Sequence, residues 1–239
     1  MVDIIPAIIP ESFEDLQDKM SEVKGLAPVV QVDVCDGKFV PSKCWPYIND
    51  DGEFQNILKE DDGFPFWQDM DFEADLMIEN PENGGAEDWI KAGAKRIILH
   101  IESSDNMLDF VKKLRKEYGY FGDSAVTVEI GIGININTPN SVLDEYFKID
   151  ELGRTLADFV QCMGIEKIGY QGQEFDEKVL EKISDLRKKY PDVAITIDGG
   201  VSFDNAGDLK EAGVTRIISG SALYDSENIK EAIEEMKEI

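Results

Sequence analysis

Along the chain, short apolar runs alternate with segments whose apolar residues recur every three or four positions. The runs are Ile4–Ile9, Val29–Val34, Phe72–Ile78, Arg96–Ile101, Ala125–Ile130, Phe159–Met163, Val193–Ile197 and Thr215–Ser219. The intervening segments, Ser12–Val23, Gln55–Glu60, Ala86–Ala92, Met107–Tyr118, Ser141–Phe147, Lys178–Lys189, Asn205–Ala212 and Glu227–Lys237, read as helices. Ser12 precedes an acidic first turn, as an N-cap does, and Gly93 and Gly213 follow the last turns of two helices, where a left-handed C-cap residue belongs. Eight strand–helix units at about 30-residue spacing predict parallel strands with crossover helices, either closed into a barrel or open and doubly wound. The 239 residues suit a barrel, and "PAIIPES" lacks the Gly-rich turn of an open dinucleotide-binding sheet. The expectation is an α/β chain forming a single (β/α)8 TIM barrel over residues 1–239. Residues 45–71 form a long excursion after the second strand, read equally well as a lid or as surface decoration.

Strand alternation then assigns faces. In "VVQVDVC", Val30, Val32 and Val34 form one face and Gln31, Asp33 and Cys35 the other. The third strand sets Glu73, Asp75 and Met77 together, the fourth Ile98, His100 and Glu102, and the seventh Ala194, Thr196 and Asp198. Chemistry in such barrels sits at the C-terminal ends of the strands. Asp33, Asp75 and Asp198 are therefore expected in one mouth, with Glu73 and Glu102 deeper. Carboxylates at short range share protons, pair with a base or hold a cation. No lysine or arginine stands at these strand ends, so the pattern predicts a metal ion or raised pKa values.

Three glycine-rich turns follow the last three strands: "IGYQGQEF", "DGGVS" and "SGSALY". Glycines let backbone N–H groups approach an anion, and a phosphate site at the last strands recurs in this fold. The net charge of -26 argues against nucleic acid or an anionic membrane as a partner. No run is long enough to span a bilayer, and the N-terminus carries no basic leader. Cys35, Cys44 and Cys162 make no even framework, which fits a reducing, cytoplasmic compartment.

Together these blocks resemble the ribulose-phosphate 3-epimerases, eight-stranded barrels of the ribulose-phosphate-binding group. "IIPAII" with "FEDL" is similar to the family's first strand and helix, and "VDVCDGKFVP" to its most specific motif. "DLMIENP", "LHIES", "NINTP", "GYQGQEF", "IDGGV" and "SGSALY" follow in the family's order. The resemblance implies proton transfer at the carbon alpha to the carbonyl of a pentulose phosphate, with a divalent metal assisting. It makes Asp33 and Asp198 the acid–base pair and places the metal on Gln31, Asp33, Asp75 and Asp198. It assigns the phosphate and substrate contacts to Ala7, Met77, Gly169, Gly172, Gly199, Gly200, Gly220 and Ser221. It also implies a small phosphorylated sugar as partner and a homo-oligomer.

Several positions depart from the family pattern. Gln31 and Asp75 replace two metal-binding histidines, Ala7 a serine, Cys35 a methionine and Ile168 a proline. Two readings follow. In one, an all-oxygen site takes Mg²⁺ or Mn²⁺ rather than Zn²⁺ or Fe²⁺ and keeps the chemistry. In the other, the barrel is inactive or repurposed: it binds a phosphorylated sugar without turnover, or carries out another sugar-phosphate reaction. His100, the only histidine, reads as a hydrogen-bonded core residue, and Cys35 as a core filler rather than a thiolate ligand.

Overall fold

Strands form where β-branched residues cluster, and every strand but the fifth is followed by an α-helix among the described residues. The computed structural model describes residues 2–120, 127–170 and 172–239. The strands are β1 (Asp3–Ile8), β2 (Val29–Cys35), β3 (Asp71–Met77), β4 (Arg96–His100), β5 (Glu129–Ile134), β6 (Phe159–Met163), β7 (Ala194–Asp198) and β8 (Arg216–Ser219). All neighbours pair in parallel, and β8 closes on β1, giving a (β/α)8 barrel. The helices are α1 (Phe13–Val23), α2 (Glu53–Leu58), α3 (Gly85–Lys91), α4 (Met107–Tyr118), α5 (Lys178–Lys189), α6 (Phe203–Ala212), α7 (Ser221–Tyr224) and α8 (Ile229–Glu238). Ser12 caps α1 by accepting from the Asp15 N–H at 3.1 Å, and Gly213 ends α6 with φ of 111°.

On β2 the face assignment from alternation holds. Val30, Val32 and Val34 are fully buried in the main core between strands and helices, while Gln31 and Asp33 turn into the barrel. Three elements differ from the sequence-based expectation by more than their end residues. The fifth strand is Glu129–Ile134 rather than Ala125–Ile130, whose first two residues lie outside the described ones. Its "EIGIGI" pattern weakens strand propensity, yet the glycines make room. A Cβ at Gly131 would sit 2.3 Å from the Phe159 ring, and one at Gly133 would crowd His100 at 3.1 Å. The helix expected over Ser141–Phe147 is a single 3₁₀ turn, Asn140–Leu143. The short α7 was not expected, because "SGSALY" reads as turn.

The 45–71 segment packs on the outside of the barrel. Trp45 is fully buried against Phe13, Phe54 and Trp89, and Phe64 stacks on Phe72. At the barrel floor, Arg216 donates to Glu73 Oε2 at 2.6 Å, with Arg96 Nη1 at 3.6 Å. Glu73 was expected beneath the mouth with no cation near it. The arginines that hold it begin β4 and β8, at the opposite end of the strands from the aspartates. Among the described residues, no helix is long and apolar enough to cross a membrane.

Candidate active site

Register brings the acids together. Asp33 pairs beside Asp75 across β2 and β3, and Asp198 ends β7. One oxygen from each of Asp33, Asp75 and Asp198 falls within 4.8 Å of the others, so the trio can hold a metal ion. The three are not equivalent. Asp33 and Asp198 line the cavity at the mouth, whereas Asp75 lies behind them, fully buried.

Neutral amides and one imidazole hold this cluster. Gln31 Nε2 donates to Asp33 Oδ1 at 2.8 Å and to Asp198 Oδ2 at 2.7 Å. Gln161 Nε2 donates to Asp75 Oδ2 and Asp198 Oδ2, both at 3.2 Å. His100 Nε2 lies 3.0 Å from Asp75 Oδ1. Gln31 thus presents its nitrogen to the carboxylates, and its Oε1, the atom able to bind a metal, is buried with no partner among the described residues. Burial, and then the charges of Asp198 and Asp75, push the Asp33 carboxyl well above the usual carboxylate range. Burial and the Asp75 charge raise Asp198 to about 7. Burial opposes protonation of His100, but the Asp75 carboxylate outweighs it and raises the imidazole pKa.

The cavity collects most of the residues singled out from the sequence. Ala7, Asp33, Met77, Gly169, Gly172, Asp198, Gly199, Gly200, Gly220 and Ser221 all line it. Gln31 and Asp75 sit beneath, in contact with its acids rather than on its wall. Gly169, Gly172, Gly199 and Gly200 all have positive φ. At Gly200 a Cβ would meet the Phe175 backbone at 2.8 Å, so glycine is required there on both counts. Gln171 of the same turn lies outside the described residues.

The Asp-Gly pair of "CDGKFVP" has a local explanation. Asp36 Oδ1 accepts from the Lys38 and Phe39 N–H groups, and Oδ2 from the Glu79 N–H at 2.9 Å, pinning the loop after β2 to the end of β3. Glu102 does not enter the mouth. It lies exposed in the 3₁₀ turn Ile101–Ser103 and accepts from the Asn135 N–H and the Thr138 hydroxyl, because β4 ends at His100 and the alternation stops there. Cys35 is buried beside Cys44, whose contact and the burial push its thiol pKa up, away from thiolate. Gln161 escaped the sequence reading. The signal was available: a lone amide in the apolar strand "FVQCM", at an inward position.

Fold and site together define a barrel whose mouth sets two carboxyls of raised pKa against a glycine-lined cavity wall. Comparison with known proteins narrows this class. Residues 3–224 match the model of the ribulose-phosphate 3 epimerase family, and the chain belongs to that family. It is 30% identical to ribulose-phosphate 3-epimerase of Bacillus subtilis, with 99% of each chain covered. The corresponding figure for the Escherichia coli K12 enzyme of that name is 28%, covering 98% of this chain and 94% of that one. A solved structure of 3-keto-L-gulonate-6-phosphate decarboxylase from Vibrio cholerae shares the fold, with a TM-score of 0.63 at 17% identity, covering 100% of this chain and 97% of that one.

Proposed function

We propose that this chain is a pentulose-phosphate 3-epimerase in which Asp33 and Asp198 pass a proton between opposite faces of the carbon alpha to the ketone. The observation that carries the reading is the pair of cavity-facing carboxyls, both with raised pKa and Asp198 near 7. Two-base epimerisation needs one carboxylate to accept a proton while one carboxylic acid donates, and raised carboxyl pKa values favour a pair that keeps a proton to donate. Family membership favours ribulose 5-phosphate and its C3 epimer as the substrates.

Each part of the mouth then has a task. The backbone at Gly172, Gly199, Gly200, Gly220 and Ser221 holds the phosphate, with Gly169 shaping the same loop. Ala7 and Met77 pack against the sugar. Asp33 and Asp198 take and return the proton. Asp33, Asp75 and Asp198 would hold a divalent ion, with Gln31 Oε1 as a fourth donor once its amide turns over, and the bound ion would supply Lewis-acid stabilisation of developing enolate charge. An all-oxygen set suits Mg²⁺ or Mn²⁺ better than Zn²⁺ or Fe²⁺. Three free cysteines suit a reducing cytoplasm.

The test is conversion of ribulose 5-phosphate to its C3 epimer, followed by NMR with Mg²⁺ or Mn²⁺ present. Conversion supports the reading. Thermal stabilisation by the sugar phosphate without conversion would make the barrel a binding module instead.

A further inference from the structure

Gln161 is fully buried on β6, and its one amide nitrogen touches two acids at once, Asp75 Oδ2 and Asp198 Oδ2, each at 3.2 Å. Gln31 Nε2 converges on the same Asp198 oxygen. Two carboxylate oxygens around the nitrogen fix the amide's orientation, since its oxygen would be repelled there. Asp198 Oδ1 receives no hydrogen bond from any described residue, while the aspartate as a whole borders the cavity. Gln161 makes no hydrogen bond to Asp33.

We propose that Gln161 is a positioning residue that immobilises Asp198 through Oδ2, so that Oδ1 is the oxygen that exchanges a proton with the substrate. The inference rests on the epimerase reading and deepens it. Holding one oxygen by N–H donors makes it the poorer proton acceptor, so the free oxygen carries the proton. Tying Oδ2 to Asp75 also fixes the carboxyl plane, and with it the approach of Oδ1 to the reacting carbon. Because Gln161 reaches only one member of the acid–base pair, its loss affects one face of the substrate.

A structural role and a positioning role also differ in stability. Gln161 Oε1 is buried with no partner among the described residues. Replacing the amide by a side chain of similar length and no strong polar group removes an unsatisfied acceptor, although it withdraws a donor from the carboxylates. The melting temperature of Gln161→Met should therefore stay close to wild type. Turnover should fall about 10–100-fold, the range seen when partners that orient reactive groups are removed.

The decisive readout is directional. Wild type and Gln161→Met are incubated in D₂O with Mg²⁺, starting separately from ribulose 5-phosphate and from its C3 epimer. For each, deuterium appearing at C3 of the unreacted starting sugar is compared with formation of the opposite epimer. From the epimer deprotonated by Asp33, the enediolate forms normally but delivery by Asp198 is slow, so the exchange-to-inversion ratio rises. From the other epimer, removal of the proton by Asp198 is itself slow, and exchange, which needs Asp198 both to take and to return the proton, falls more than inversion. A rise confined to one epimer supports the proposal. An unchanged ratio, or an equal change from both sides, overturns it. If methionine prevents folding, Gln161→Leu is read in the same way. Wild type that exchanges neither sugar would sink the epimerase reading itself, an outcome distinct from a symmetric loss in the variant.

Discussion

At the floor of the barrel, Glu73 meets two arginines. At the mouth, Asp33, Asp75 and Asp198 meet two amides and one imidazole. Both layers bury acids, but only the floor sets permanently charged guanidinium groups against them. A buried acid held by arginine is locked into one role. Burial raises the Glu73 pKa as well, but there the arginines oppose the rise, whereas at Asp33 and Asp198 neighbouring carboxylates add to it and leave both groups able to exchange protons. The difference teaches where this fold invests in stability and where it leaves charge uncompensated for use.

The sharpest way to break the comparison is to remove an acid at each end. Asp33→Asn or Asp198→Asn should lower epimerisation by about 10²–10⁴-fold, while the melting temperature holds or rises. Glu73→Ala should do the reverse. Stranding Arg216 in the interior should cost on the order of 3–5 kcal/mol, measured by denaturant unfolding, with turnover of the folded fraction little changed. Equal stability losses at both ends would erase the distinction.

The pH dependence of stability comes next. Asp198 titrates at about 7 in the fold against an ordinary value of 3.8, so the native state holds its proton more tightly between those values. Stability should therefore fall as pH rises through that window. Asp33 acts in the same sense, and so does His100, whose contribution is present below 6.5 and lost as pH passes its raised value. Metal-free protein should melt roughly 5–10 °C lower at pH 8 than at pH 5, and Asp198→Asn should flatten the trend.

A divalent ion should work against that slope. Mg²⁺ at about 100 times its dissociation constant should stabilise the protein by about 2.7 kcal/mol. The gain in melting temperature should be larger at pH 8 than at pH 5, because protons compete for the same oxygens. Asp75→Asn should shrink it. The smallest expected effect belongs to Glu102, exposed on its 3₁₀ turn. Glu102→Gln should change stability by less than about 1 kcal/mol and turnover by less than about twofold, measured by thermal melts and by the epimerisation assay.

Much of this was legible in the chain itself. Alternation in "VVQVDVC" and "DFEADLM" turned the right residues inward, and the glycine turns pointed to one cavity. What escaped depended on partners distant in sequence. Arg216 lies 143 positions from Glu73, and only barrel closure joins them. Gln161 stood in plain view, but a single amide in an apolar strand gains meaning only when Asp75 and Asp198 converge on it. The fifth strand was misplaced because its glycines serve Phe159 and His100 rather than its own propensity. Glu102 was misassigned because alternation was carried two residues past the end of β4.

The most direct test of the central claim is loss of the C3 proton of ribulose 5-phosphate in D₂O, followed by NMR with Mg²⁺ present. The account predicts deuterium at C3 and the opposite epimer with wild type, and loss of inversion with either Asp33→Asn or Asp198→Asn. Wild-type rates in either variant, or no exchange by wild type with Mg²⁺, Mn²⁺ or Zn²⁺, would contradict it.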